Sequence, residues 1–589
     1  MKRLPLTMRE LSTLLPYIRR HRATYLLGLG LVLVSNAFTT AGPRFLERGI
    51  DQIGRGAPLG AIAWSAVVLV GVAIVGGVAR FGMRQTLNSG SRRIETEMRD
   101  DLFAHLLRHS AGFFDRHPTG DLMARATNDL TAVRMVAGPA LMYLVDTAVR
   151  AALVVPQMAH ISLPLSLLAL LPLLGLTVVM VVLGGVVHER SRAIQEHFGT
   201  MSTYVQEHLS GVRVVRAYRQ ERAEERHFGG LNDEYLRRNL AMAKVQGAFH
   251  ALMPLLGGLG GVIVLYAGGR LVISGAISAG AFVAFSVYLA MLVWPMIALG
   301  WAINLLQRGA ASIQRINELL HEAPTITSPD APAALPAAAG ARSVTFEDVW
   351  FRYPAVRDRG WALEGVTFHV PAGRSIAIVG ATGAGKSTVA ELLGRAFDPD
   401  RGRILVDGVD IRALDLRDLR RAVGMVPQET FLFSDTLRHN VLLGAPDDGR
   451  LERVSAIAQL DAALAELPSG YDTMLGERGV NLSGGQKQRA AIARALAQDP
   501  TVFVLDDALS AVDAQTEAKI LSALRDALVG RTTIVISHRL AAVRDADEIV
   551  VLDEGTVVER GTHAQLIARD GRYADLVRRQ RLEAELEAV

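Results

Sequence analysis

Among 589 residues there is not one cysteine. That absence excludes disulfides and thiolate metal centres alike. Net charge is also scarce: 63 basic against 59 acidic side chains leave only +4, too little to point to nucleic acid as a partner. Proline is missing from the whole stretch between Pro58 and Pro118. Without a helix breaker, one helix can run there for about 80 Å at ~1.5 Å per residue. Nothing in the chain has the pattern of a peptidase domain or a metal site.

Apolar sequence, by contrast, is plentiful. Half of the residues are hydrophobic and the mean hydropathy is +0.25, which points to membrane spans. Six long apolar segments, residues 24–50, 59–82, 138–158, 163–187, 248–269 and 279–306, each approach the ~20 residues that a spanning helix needs. Pro43, Pro156, Pro172 and Pro295 interrupt some of them, as membrane helices tolerate. Leu6 to Arg22 mixes apolar and basic side chains, which fits an amphipathic helix on the membrane face or else a plain soluble cap; the charged start and the lack of a small-residue cleavage site fit an uncleaved anchor rather than a signal peptide. The short loops after spans one, three and five carry almost no arginine, whereas those after spans two and four are crowded with it, from Arg84 to Arg125 and from Arg190 to Arg226. The positive-inside rule puts these long segments and both termini in the cytoplasm. A hydrocarbon core of ~30 Å leaves much of each helix projecting beyond the bilayer. The projections turn near Phe114–Leu122 and Ser210–Tyr218. Within span three, Asp146 and Arg150 stand one helical turn apart and can pair with each other. An Ala/Pro-rich connector, residues 321–343, then leads to an alternating strand that opens a second domain.

That domain carries Gly380-Ala381-Thr382-Gly383-Ala384-Gly385-Lys386-Ser387-Thr388 between an apolar run and a helix-like segment. Strand, glycine-rich loop and helix form a P-loop: backbone N–H groups approach phosphate oxygens, Lys386 reaches the β/γ-phosphates and Ser387 holds Mg²⁺. Downstream come Leu482-Ser483-Gly484-Gly485-Gln486, then Val502 to Asp507, then Ser537-His538. In that order and spacing the chain resembles the ATP-binding-cassette (ABC) ATPases, and with the membrane segments it resembles, along its whole length, the type IV exporters, whose two coupling helices the cytoplasmic turns match.

The resemblance implies a fold of six transmembrane helices plus an α/β P-loop domain of ABC type, divided as residues 1–320, a linker 321–343, and 344–589. It implies ATP and Mg²⁺ as cofactors and a place in the inner (cytoplasmic) membrane. Tyr353 matches the aromatic that stacks on adenine. Gln428 matches the Q-loop glutamine that ligates Mg²⁺ and senses the γ-phosphate, Asp506 the Walker B aspartate on the metal, and His538 the switch histidine. Ser483, Gly484, Gly485 and Gln486 match the signature that cradles a phosphate on another subunit's P-loop, and Asp513 the D-loop; Gly476-Glu477-Arg478-Gly479 resembles the export-specific X-loop. One chain with one such domain requires a second. At Asp507 the sequence departs from the family, whose general base there is glutamate. Aspartate draws the carboxylate back by about 1.5 Å, one C–C bond. In this family the change marks the slow-site chain of heterodimeric exporters, and Trp294-Pro295 and Gln307-Arg308-Gly309-Ala310 add to a likeness with bacterial heterodimeric multidrug and peptide exporters. The expectation is therefore an ATP-driven exporter of amphipathic molecules, lipids or peptides, paired with a paralogous half-transporter or else with a second copy. An importer on the same fold and a non-transporting regulatory ABC protein are the alternatives.

Overall fold

The computed structural model describes residues 10–336, 340–354, 360–465 and 467–587. The start of the expected amphipathic helix, residues 6–9, and part of the connector, 337–339, lie outside them. The chain divides into two compact units, one formed by residues 1–105 and 120–322, the other by 106–119 and 323–589.

The first unit is helical. Its long elements are α1 (Arg22–Gly54), α2 (Leu59–Leu106), α4 (Thr119–Ile161), α5 (Leu163–Ser210), α7 (Glu221–Ile273) and α8 (Ala279–His321). Five of them, α1, α2, α4, α7 and α8, are long and apolar enough to cross a membrane. The remaining expected span, 163–187, falls in α5, a continuous helix of 48 residues, several of whose side chains lie outside the described residues. Helix α2 is also 48 residues long, about 70 Å at the α-helical rise. Trp64, Val67, Val70, Ile74, Val78 and Phe81 of α2 are all exposed, as side chains that meet lipid tails should be. Two π-turns, Arg125–Asp129 and Val136–Ala140, interrupt α4, each a local i→i+5 widening.

Close helix crossings depend on glycine. A Cβ on Gly309 of α8 would run into Val136, and one on Gly280 would run into the carbonyl oxygen of Glu47; small residues let membrane helices approach where lipid offers no hydrophobic drive. One charged pair inside this unit is satisfied internally. Arg150 pairs with Asp146 at 3.0 Å, Asn36 Nδ2 donates to Asp146 Oδ1 at 2.7 Å, and Arg150 Nε donates to Asn36 Oδ1 at 3.0 Å. The pair is thus a closed triad with a residue of α1, which removes the cost of a buried charge without a partner.

The second unit contains two sheets. A four-stranded antiparallel sheet has the order β2-β1-β4-β5, with β1 Val344–Phe351, β2 Leu363–Val370, β4 Arg401–Val406 and β5 Val409–Asp410. A six-stranded sheet has the order β10-β9-β3-β8-β7-β6, built from β3 Ser375–Gly380, β6 Val423–Val426, β7 Val502–Asp506, β8 Thr532–Ile536, β9 Glu548–Asp553 and β10 Thr556–Gly561. All neighbours in it are parallel except β9 and β10. Every residue of β7, and β3 from Ile376 to Gly380, is buried, as continuous apolar strands covered on both faces must be. Helices α9 (Lys386–Leu393), α10 (Gly484–Ala497) and α11 (Ala514–Ala527) belong to this unit. So does the short helix α3 (Ala111–Arg116), which the chain supplies from between α2 and α4. Its Phe113 is 1% exposed and lies between the rings of His109 and His117, 3.9 and 4.3 Å away. The matching short helix α6 (Val212–Ala217) stays in the first unit and buries none of its residues; Tyr218 behind it is 73% exposed.

Candidate functional site

The strands β7 and β8 end level and β3 runs two residues further: Ile378 and Asp506 both face Ile536 in the register. The loops that follow them therefore open at one edge, the carboxyl ends of parallel strands, where α/β sheets take ligands. A cleft of about 290 Å³ lies there, and Tyr353, Lys386, Ser387, Gln428, Asp507 and His538 are among its lining residues.

The loop after β3 turns through left-handed backbone at Gly383 (φ 85°) and Gly385 (φ 93°). A Cβ on Gly385 would collide with the Ala362 carbonyl oxygen, so only glycine keeps this backbone close to the cleft. Lys386 folds back over the loop, donating to the carbonyl oxygens of Gly380 and Ala381 at 2.9 and 2.7 Å. Burial pushes its ammonium below the ordinary lysine range, and the charges of Asp507 and Asp506 partly offset this. Ser387 Oγ donates to Asp506 Oδ1 at 3.1 Å. Burial raises the Asp506 carboxyl, an effect the Ser387 bond opposes and the Asp507 charge reinforces. Hydroxyl and carboxylate, both hard oxygen donors side by side, form a donor set suited to Mg²⁺.

Asp507 follows in left-handed backbone (φ 47°) and donates its N–H to the Ile536 carbonyl oxygen at 2.8 Å. Its Oδ1 lies 3.0 Å from His538 Nδ1. Gln428, just past β6, is exposed at the rim. Tyr353 lines the cleft, its hydroxyl donating to Glu391 Oε2 at 2.8 Å and lying 3.0 Å from Thr388 Oγ1. Burial raises both the Tyr353 phenol and the Glu391 carboxyl above their usual values.

Of the residues singled out in the sequence, Gly380, Thr382, Gly383, Gly385 and Thr388 also line the cleft. Ala384 does not: it is buried, and its N–H is taken by the Ala381 carbonyl oxygen. Ser483, Gly484, Gly485 and Gln486 do not line it either. They begin α10, where Ser483 Oγ accepts from Gln486 N at 3.3 Å and Gln486 Oε1 accepts from Ser483 N at 2.9 Å, a capping box. Asp513 caps α11 through the Thr516 N–H at 2.9 Å, a bond that holds its carboxyl below the usual range.

Three neighbours were not found by motif. Gln488 donates to Ser510 Oγ and accepts from Ala511 N, both at 2.9 Å. Arg539 donates to the Ser510 carbonyl oxygen at 2.7 Å and pairs with Glu517. Together they lash the loop Ser510–Asp513 to α10 and to the segment after β8. Glu391 is the third; its only signal is an acid among Val389, Ala390, Leu392 and Leu393 on α9.

A larger cavity, about 990 Å³, opens in the helical unit. Tyr143, Phe249, Trp294, Trp301, Asn304 and Gln307 are among its lining residues, and the described lining residues include no carboxylate, lysine, arginine or histidine.

Comparison with known proteins adds to this geometry. The family described as ABC transporter transmembrane region matches residues 25–296, and the family described as ABC transporter matches residues 363–510. The chain is 38% identical over 571 residues to the probable multidrug resistance ABC transporter ATP-binding/permease protein YheI of Bacillus subtilis, covering 96% of this chain and 97% of that protein. It is 35% identical to the multidrug resistance-like ATP-binding protein MdlA of Escherichia coli over 98% of each, and 32% identical to an ATP-dependent lipid A-core flippase of Syntrophus aciditrophicus over 96% of this chain and 93% of that one. The solved structure of a bacterial Atm1-family ABC exporter with ATP bound matches with a TM-score of 0.78 and 29% identity, over 95% of this chain and 99% of the other.

Proposed function

We propose a function for this chain from one premise: it belongs to the ABC transporters, with a helical transmembrane region fused to an α/β ATPase domain. It is a membrane protein and an ATPase. Our reading is an exporter subunit of the cytoplasmic membrane, with its ATPase domain and both termini in the cytoplasm, working as a heterodimer with one slow and one fast site. Residues 1–320 form the transmembrane domain and 344–589 the nucleotide-binding domain. The arginine-rich segments between spans support that orientation.

Each residue of the cleft has a task. Tyr353 offers its ring to the base. The loop from Gly380 to Thr388 wraps phosphate with backbone N–H groups, and Lys386 turns its ammonium from the loop carbonyls to the β/γ-phosphates. Ser387, Asp506 and Gln428 would hold Mg²⁺ by oxygen. Mg·ATP supplies the phosphoanhydride bond whose cleavage drives the cycle. His538 steadies Asp507 Oδ1, leaving Oδ2 to take a proton from the attacking water. The observation that carries the slow-site reading is Asp507 itself: a carboxylate one methylene short and already drawn 3.0 Å from His538. Losing the geometry of a general base removes ~10²–10⁴-fold in rate. Ser483 to Gln486 and Asp513, which leave this chain's own cleft unlined, are ready for the partner's phosphate at the fast site.

The aromatic and amide lining of the helical cavity supports an uncharged amphiphile as cargo. An anionic lipid would find no cation there among the described lining residues. The test is ATP turnover of the chain alone, with its neighbour-encoded partner, and with uncharged and anionic amphiphiles added in proteoliposomes. Weak turnover alone, robust turnover in the pair and stimulation by the uncharged set are expected; fast turnover by the lone chain sinks the slow-site reading.

A further inference from the structure

Tyr353 faces the cleft, but two of the groups against it, Glu391 and Phe397, are not among the cleft's lining residues. Glu391 Oε2 accepts a hydrogen bond from the Tyr353 hydroxyl at 2.8 Å and Thr388 Oγ1 sits 3.0 Å away. Both stand on α9, one turn apart, on the helix that Lys386 begins. The Tyr353 ring meets Phe397 edge-on, with centroids 5.6 Å apart and planes at 84°. Phe397 in turn lies against the segment 106–119, which overlaps the turn Phe114–Leu122 likened above to the first coupling helix. A Cβ built on Gly112 of that segment would stand 3.1 Å from Phe397 Cε1. The negative charge of Asp115, from the same segment, bears on both the phenol and the Glu391 carboxyl. A tyrosine ring whose hydroxyl is pinned and whose edge is blocked keeps one plane, and that plane is the face it shows to the cleft.

We propose that Glu391 is a positioning residue for ATP: it orients the Tyr353 ring toward the nucleotide base, and Phe397 passes the docking of residues 106–119 to that ring. This rests on the reading of Tyr353 as the residue that meets the base. A carboxyl held only to satisfy a phenol would matter for stability; one that sets the ring plane matters for nucleotide affinity, through the segment that reports on the transport helices.

The test is competition by ATP for photolabelling of this chain, in the full-length dimer, with KM, kcat and the thermal midpoint measured alongside. Glu391→Ala removes a charge-assisted hydrogen bond, so ATP affinity should fall about tenfold with kcat held. Glu391→Gln, whose amide oxygen still accepts, should recover most of that loss. Tyr353→Phe should reproduce it, and the double variant Tyr353→Phe/Glu391→Ala should bind no more weakly than either single one, because the two changes delete the same contact. Gly112→Ala should shift ATP affinity in the native background and not in Phe397→Leu. Unchanged affinity in Glu391→Ala, beside a loss in Tyr353→Ala, overturns the positioning role and leaves the base reading intact. Unchanged affinity in Tyr353→Ala overturns the base reading itself. Full affinity in Gly112→Ala overturns the route through Phe397. If Glu391→Ala does not fold, Tyr353→Phe decides: native affinity there overturns the role.

Discussion

Lys386 is half-buried and held by two loop carbonyls, so its ammonium would reach a phosphate by exchanging one set of oxygens for another. Lys386→Ala should weaken ATP photolabelling of this chain by roughly tenfold to a hundredfold, the worth of a charged hydrogen bond; labelling equal to the native chain would sink the assignment. Arg539 gives a second residue-scale prediction. Arg539→Ala frees the Ser510 and Val512 carbonyl oxygens and leaves Glu517, 4% exposed, without its cation. Breaking a buried pair from one side costs about 3–5 kcal/mol, so calorimetry should show a marked drop in the thermal midpoint of the ATPase domain. These examples also separate what the sequence discloses from what it withholds. Lys386, Asp506 and His538 each follow an apolar strand at a fixed spacing, and parallel strands bring their carboxyl ends together, so one cleft could be read from the motif order. Arg539, Gln488 and Glu391 owe their partners to contacts between segments 22 to 38 residues apart, which no local pattern encodes.

At the scale of elements, helix crossings carry the energetics. Gly309→Val puts two methyl groups where α8 already meets Val136. Overpacking costs about 1–3 kcal/mol, and a lower melting temperature in detergent, relieved by Val136→Ala, is the expected result. Tyr218 lies just beyond α6, the short helix matched to the second coupling helix. Tyr218→Asp should uncouple transport while much of the ATPase activity persists, since a charge would have to be desolvated wherever the ring docks; undiminished uptake into inverted vesicles would count against that role. The long helices were legible because Pro58 and Pro118 bracket a stretch with no breaker. The π-turns in α4 were not, since a one-residue widening leaves no mark on hydropathy.

For the whole molecule, the heterodimer reading makes an asymmetric prediction. In the pair, Asp507→Asn should cost little turnover, whereas replacing the partner's glutamate should remove most of it. A large loss from Asp507→Asn would point instead to two equal sites. The division of the chain has a consequence of another kind. Residues 106–119 belong to the α/β unit, yet they are made far ahead of it. At ~5–20 residues per second, Phe397 leaves the ribosome roughly 15 to 60 seconds after Gly112. Throughout that interval Phe113, buried in the finished protein, waits for a surface that has not been synthesised. The order of translation therefore makes this short helix the first piece of its own unit to be made and one that must wait, exposed in the nascent chain, for the rest to follow.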